Sequence, residues 1–305
     1  MEEMGGYNLT NKSLLISTPT RKSKDYCEKD FIDGLLSLEI PDNWDIDFLI
    51  LENTIDVMDI SYFKALIERV KSLGLTNMTI AHVGINNSYN DPQRVTLLYN
   101  YIRGYHNYFG FTRVLNVESD VIFHDKESLL RLMATMDQHS DAGLVSGVTE
   151  YEKKPLTPEQ INELHAKGVA VMDVKEEFNT MIYRKLSIDE TKLAHTEEPL
   201  AIWLPGDKTD WITIKVPIMK PHGYVIDHDM YSHEDIKAKS EPFEVPGCPL
   251  GCILIRGTVL TNTPFRYNPF LGVYNDVLFP IDVRKAGWKI YCDPRVWPEH
   301  RARAW

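Results

Sequence analysis

Short apolar runs alternate with stretches of helical period through the first half of the chain. SLLIST (13–18) is an apolar run that ends in Thr-Pro-Thr, a strand meeting a loop. KDFIDGLLSLEI spaces Phe31, Leu35 and Leu38 as a helix does. DIDFLILEN (45–53) is a second buried strand with a polar end. DISYFKALIERVKSLG predicts an amphipathic helix, with Asp59 as N-cap and Gly74 at C′. NMTIAHVGIN (77–86) is a third strand. DPQRVTLLYNYIRGYHNYFG is a helix with Pro92 in its first turn. TRVLNVESDVIF is a fourth strand, DKESLLRLMATMDQHS the helix after it, and AGLVSGVTEY a fifth strand.

Strands joined by helices of this length call for a parallel sheet with right-handed crossovers. Ligands of such sheets bind outside the carboxyl ends of the strands. Three strand ends carry polar tips: Thr18-Pro19-Thr20, Glu52-Asn53 and Glu118-Ser119-Asp120. Residues two apart on a strand point to one side, so Glu118 and Asp120 both aim at the cleft expected there. From about 151 to 246 the pattern weakens. TPEQINELHAKG reads as a short helix, and EPLAIWLP, DWITIKVPIM and HGYVIDHDMY read as strands of an inserted α+β segment. Regularity returns with the strand GCILIRGTVL (251–260), an aromatic loop, the helix NDVLFPIDVRKAG and the strand WKIYCDP.

Composition narrows the function classes. The chain has 305 residues, 43% hydrophobic and 25% charged, enough for one large α/β domain with a real core. A net charge of −11 argues against general nucleic-acid binding, which relies on Lys and Arg. No apolar run is long enough to span a bilayer, and MEEMGGYNLTNKS lacks the character of a signal peptide. A cytoplasmic location is the expectation. Cys27, Cys248, Cys252 and Cys292 form no complete zinc-ligand set, so reduced structural thiols are expected.

Two hard oxygen ligands at a strand end suit Mg²⁺ or Mn²⁺, which share their shell with water and substrate phosphates. On spacing alone, acid-x-acid is a weak pattern, and a solvated polar turn or a helix cap is the commoner reading of Glu118 and Asp120. Near the end of the chain, His300 follows Glu299 and precedes Arg301 and Arg303, which suit an anionic ligand. The loop NTPFRYNPFLGVYND offers Phe265, Tyr267, Phe270 and Tyr274 as faces for a sugar or as a hydrophobic cluster; Trp203 and Trp211 are weaker candidates. HGYVIDHDMYSHED gathers His222, Asp227, His228, Asp229, His233, Glu234 and Asp235, but strand alternation splits them between faces.

In order and spacing, LLISTPTR, DFLILEN, RVLNVESDVIF, GCILIRGTVL, NDVLFPIDVRKAGWKIYCDP and the closing EH resemble the GT-A-fold glycosyltransferases. The likeness is to the large inverting family that includes bacterial polysaccharide and dolichyl-phosphate sugar transferases. It covers most of 13–150 and 247–300. It implies an α/β, Rossmann-like, mostly parallel sheet in a single domain over 10–305. Within that domain, 13–150 would be the nucleotide-sugar half and 151–246 an acceptor-side insertion. Residues 247–305 would return to the sheet with the catalytic helix and a C-terminal lid. The family's acid-x-acid motif holds a divalent metal on the donor diphosphate, here Glu118 and Asp120, with His300 completing the shell. Glu118 departs from the usual Asp. The family's base falls on Asp276, whose acidic partner is here Asn275; a helix N-cap is the alternative role for Asp276. Thr18, Thr20, Arg21, Glu52 and Asn53 match positions that hold the nucleotide, and Arg301 and Arg303 match a clamp on the diphosphate.

The implied activity is metal-dependent transfer, with inversion, of a sugar from a UDP- or GDP-sugar to a hydroxyl of a glycan, protein or other acceptor; self-association stays open. One rival is a sugar-phosphate nucleotidyltransferase. TPTRKSKD has Arg21, Lys22 and Lys24 but lacks the glycine-rich loop that reaction normally uses. The other is a degenerate, non-catalytic transferase-like assembly protein, kept alive by Glu118 and Asn275.

Overall fold

The computed structural model describes residues 12–54, 59–85, 91–153, 177–185, 200–202, 212–214, 219–220, 224–225, 228–267 and 275–301. In chain order the first part of the main domain comprises β1 (Ser13–Thr20), a 3₁₀ turn (Lys22–Cys27), α1 (Glu28–Ser37), β2 (Asp45–Glu52), α2 (Ser61–Ser72), β3 (Met78–His82) and α3 (Asp91–Phe109). Next come β4 (Arg113–Val117), β5 (Val121–Ile122), α4 (Ser128–Gln138) and β6 (Ala142–Ser146). The central segment holds β7 (Glu150–Lys153), β8 (Glu177–Lys185), β9 (Leu200–Ile202), β10 (Ile212–Ile214), β11 (Met219–Lys220), β12 (Tyr224–Val225) and β13 (His228–Ser232). The chain continues with α5 (His233–Lys237), β14 (Phe243–Glu244), β15 (Cys252–Arg256), α6 (Gly257–Asn262), α7 (Asn275–Lys285), β16 (Lys289–Cys292) and β17 (Glu299–His300).

Eight strands form the main sheet in the order β14-β16-β6-β15-β4-β1-β2-β3. β4, β1, β2 and β3 are mutually parallel, as the helical crossovers require. β16 is parallel to β6. β15 is antiparallel to both of its neighbours, β4 and β6, and β14 adds an antiparallel edge. The sheet is therefore mostly parallel, but β6 does not follow β4 directly; a strand from late in the chain is threaded between them. Periodicity cannot reveal this, because a strand buried on both faces reads the same in either direction.

Alternate residues of each strand feed opposite core layers. Leu14, Ile16 and Leu115 pack with Phe31, Ile32 and Leu35 of α1 and with Leu129, Leu132 and Met136 of α4. Leu15, Val114 and Ile255 pack with Leu98, Tyr99 and Ile102 of α3, Val259 of α6, and Phe279 and Val283 of α7. Helices thus cover both faces, and β4 and β6 are buried along their whole length. All four cysteines are free and buried within this core, where burial raises their thiol pKa values.

Several local expectations change in the folded chain. The predicted strand 251–260 stops at Arg256, and α6 begins at Gly257. A Cβ on Gly257 would meet the carbonyl oxygen of Phe111, with His106 Cε1 and Thr112 O each at 3.0 Å. Only glycine lets α6 approach so closely. α2 begins two residues after Asp59, whose Oδ1 accepts from the Ser61 N–H at 3.0 Å, and Gly74 takes φ 67° at its C-terminal end. β1 runs through Pro19; its pairing with β4 ends at Ser17, so the missing N–H lies beyond the shared ladder. The predicted helix at 157–168 lies outside the described residues. β7, β8 and β13 form a three-stranded antiparallel sheet, while β9 pairs with β10 and β11 with β12.

Candidate active site

The predicted fourth strand is broken. β4 ends at Val117, and a turn follows in which Val121 N–H donates to Glu118 O at 2.9 Å. Glu118 N–H donates across to Gly251 O at 2.9 Å, fixing the turn to the loop before β15. The chain re-enters a strand as β5, which pairs with β17 so that Glu299 faces Ile122 and His300 faces Val121. Arg301 N–H donates to Asp120 O at 2.8 Å. This backbone pairing brings the last described strand to the acid turn.

Glu118, Asp120 and His300 each offer a ligand atom, and these atoms lie within 4.8 Å of one another. That is the scale of a shell around one small divalent ion. Asp120 is 1% exposed. Its Oδ2 takes the Lys24 ammonium and lies 3.7 Å from His300 Nε2, whereas its Oδ1 is buried with no hydrogen-bond partner. A buried, unpartnered carboxylate oxygen is costly unless a ligand completes it. Two carboxylates and an imidazole suit Mn²⁺ or Mg²⁺, so the residues present fit the expected metal. Burial, reinforced by the Asp120 charge, pushes the Glu118 pKa up, while a hydrogen bond from Tyr99 partly opposes this. Tyr99 is held in turn by Asn116 Nδ2 at 3.3 Å and by stacking on Phe265.

The acids open onto a cleft of about 450 Å³. Thr20, Arg21 and Lys24 from the end of β1 line it, with Asn53 after β2, Arg94 and Leu98 of α3, and Asn275 and Asp276 at the start of α7. Burial first, and the nearby Glu118 charge second, push the Asp276 carboxyl up to about 7. Pro280, inside α7, lacks the N–H that would otherwise donate to the Asp276 carbonyl one turn earlier. Asn275 is 1% exposed and its amide nitrogen has no partner.

Other sequence-predicted residues take different places. Thr20, Arg21 and Asn53 line the cleft; Thr18, Glu52 and Arg301 do not. The Thr18 hydroxyl donates to Val117 O within the sheet. Glu52 is fully buried, with one oxygen taken by Thr54 and the other 2.5 Å from His82 Nδ1. The Arg301 guanidinium pairs with Asp30 and with Glu299, the latter at 2.8 Å, so its backbone rather than its charge serves the acid turn. Arg303, Trp203, Trp211, Phe270, Tyr274, His222 and Asp227 lie outside the described residues. Phe265 stacks on Tyr99 and Phe279 as part of the core, not as a sugar platform. His233 packs on Trp297, and among the described residues only Glu118, Asp120 and His300 form a potential metal set.

Two lining cations escape the sequence reading. Lys24 lies in a basic stretch whose 3₁₀ turn hides which residue faces inward. Arg94 is 3% exposed and donates to Asn53 Oδ1 at 2.7 Å. Its signal is a cation one turn before Leu98, on the face of α3 that turns to the sheet.

This sheet order, with helices on both faces and an acid turn at the mouth of β4, is the GT-A fold of glycosyltransferases. No protein-family model and no curated protein matches the chain. Among solved structures, it is similar to the mannosyltransferase PcManGT from Pyrobaculum calidifontis, crystallised in complex with GDP-Man and Mn²⁺. That likeness has 10% identity and a TM-score of 0.50, and covers 94% of this chain and 56% of that one. It is also similar to S. aureus TarS (residues 1–349), at 12% identity and a TM-score of 0.44 over 94% of this chain and 59% of that one. The chain thus spans under three-fifths of either structure. At 10% identity the likeness to PcManGT bears on the fold alone. No described helix is long and apolar enough to cross a membrane.

Proposed function

We propose that the chain is a metal-dependent glycosyltransferase that moves a sugar from a nucleoside-diphosphate sugar to an acceptor hydroxyl with inversion. The observation that carries this reading is the Glu118–Asp120–His300 set, whose two acids line the same cleft as Asp276. PcManGT, the similar structure with GDP-Man and Mn²⁺, supports a nucleoside-diphosphate sugar as donor and a divalent ion such as Mn²⁺; a UDP-linked donor and Mg²⁺ are the alternatives.

Glu118, Asp120 and His300 would hold the ion, which when bound supplies Lewis-acid neutralisation of charge growing on the departing diphosphate. The chain's own groups account for the rest. Asn53, held by Arg94 and by its own bond to Val83 O at 2.5 Å, presents a fixed amide at the nucleotide end of the cleft. Arg21 and Lys24 face the diphosphate. Asp276, with a carboxyl poised near neutrality, takes the proton from the acceptor hydroxyl as its oxygen attacks the anomeric carbon. A single displacement by one base inverts that carbon. The nucleotidyltransferase alternative gains no support from the cleft, which contains no glycine among its described lining residues.

The testing experiment is a thermal-shift screen of UDP, GDP, CDP and TDP with and without Mn²⁺. Stabilisation by one nucleotide that requires the ion supports the reading. A nucleotide response indifferent to the ion sinks its metal-dependent form, and no response to any nucleotide sinks the donor assignment.

A further inference from the structure

The side chain of Lys24 occupies one of the two carboxylate oxygens that Asp120 could offer a metal. Its ammonium pairs with Asp120 Oδ2, the atom 3.7 Å from His300 Nε2, while Asp120 Oδ1 stays buried and unpartnered. A cation already seated on the same carboxylate is driven off when a divalent ion arrives at either oxygen, because the two positive charges would lie within a few ångströms of each other. Lys24 has somewhere to go. It lines the cleft together with Arg21, and both belong to the short segment that leaves β1. A lysine arm can carry its ammonium across several ångströms by rotamer changes alone, with the backbone fixed.

The charges of the cleft favour such a move. Among the described residues its lining contains three cationic side chains, Arg21, Lys24 and Arg94, and three carboxylates, Glu118, Asp120 and Asp276. These balance when all are ionised. A divalent ion alone leaves an excess of two positive charges, and the diphosphate of a nucleotide sugar supplies two negative ones. Metal and donor together restore the balance; either alone does not.

We propose that Lys24 is a diphosphate-binding residue that pairs with Asp120 and is released to the donor when a divalent ion takes Asp120. The proposal rests on the donor and metal assigned above. Lys24 then weakens metal binding in the absence of nucleotide and strengthens nucleotide binding in its presence. By linkage, it makes each ligand favour the other.

The test measures Mn²⁺ alone, by electron paramagnetic resonance, on the full chain and on K24M. It then measures UDP and GDP by calorimetry at saturating Mn²⁺. K24M is expected to bind Mn²⁺ about three- to tenfold more tightly, while losing about tenfold in affinity for the diphosphate that the wild type binds. A merely structural lysine does not produce these opposite signs. Unchanged or weaker Mn²⁺ binding in K24M overturns the latch, and unchanged diphosphate affinity overturns the release. If K24M does not fold, K24Q, which keeps a polar partner for Asp120, carries the same two measurements. A wild type that binds Mn²⁺ but no nucleoside diphosphate defeats the proposed function, and the Mn²⁺ comparison still decides the latch. If neither protein binds Mn²⁺, both readings fall.

Discussion

His300 Nε2 lies 3.7 Å from Asp120 Oδ2, across a distance of more than half the chain in sequence. The join is made by backbone: β17 pairs with β5 with His300 opposite Val121, and Arg301 N–H reaches Asp120 O. The carboxylate and the imidazole are therefore positioned by hydrogen bonds that exist without any ligand. A site built this way is preorganised, and its removal has separable consequences.

Replacing Asp120 by Ala removes the buried ligand. The Mn²⁺-dependent part of any nucleotide stabilisation is expected to vanish, a loss of roughly 5 °C in Tm at a hundredfold excess of ligand over Kd. Differential scanning fluorimetry with and without Mn²⁺ reads it. A variant that keeps the synergy removes Asp120 from the metal site.

Asp276→Asn keeps shape and removes the proposed base. Transfer is expected to fall about 10²–10⁴-fold with nucleotide affinity unchanged. Single-turnover rates alongside calorimetry separate the two effects. Equal losses in both would make Asp276 a structural cap.

The pH profile follows from the same carboxyl. Asp276 is raised to about 7, so the deprotonated base accumulates as pH climbs through that value, and turnover should rise across pH 6–8. Stability runs the other way. The folded state holds this proton more tightly than the unfolded chain, so the contribution is present below about pH 4 and lost as pH rises through about 7. Asp276→Asn is accordingly expected to melt higher than wild type at pH 8. A wild-type rate that is flat from pH 6 to 8 with saturating metal contradicts the assignment.

Gly257→Ala tests the packing that seats α6. Its Cβ would press on the Phe111 carbonyl, a backbone atom that cannot rotate away, and the expected cost is about 1–3 kcal/mol. Urea titration gives the value. Leu132→Ala, in the layer beneath α4, should cost about 2–5 kcal/mol by opening a cavity.

Which elements exist was written in the sequence. The apolar runs of β1, β2 and β4 and the period of α2 and α4 are local properties, set by side-chain spacing and readable without a fold. So was the acid pair Glu118 and Asp120, because a buried strand ending in carboxylates is locally anomalous. Direction and adjacency were not. Only the folded sheet placed antiparallel β15 between β4 and β6, since a two-sided buried strand carries no mark of its partners. Tertiary structure also sorted the polar tips. It turned Glu52 onto His82 and Thr54, sent the Arg301 charge to Asp30 and Glu299, and brought Lys24 and Arg94 to the cleft. The reason is common to all of them: a charged side chain settles on whichever partner the packed backbone brings within reach, and that partner is usually remote in sequence.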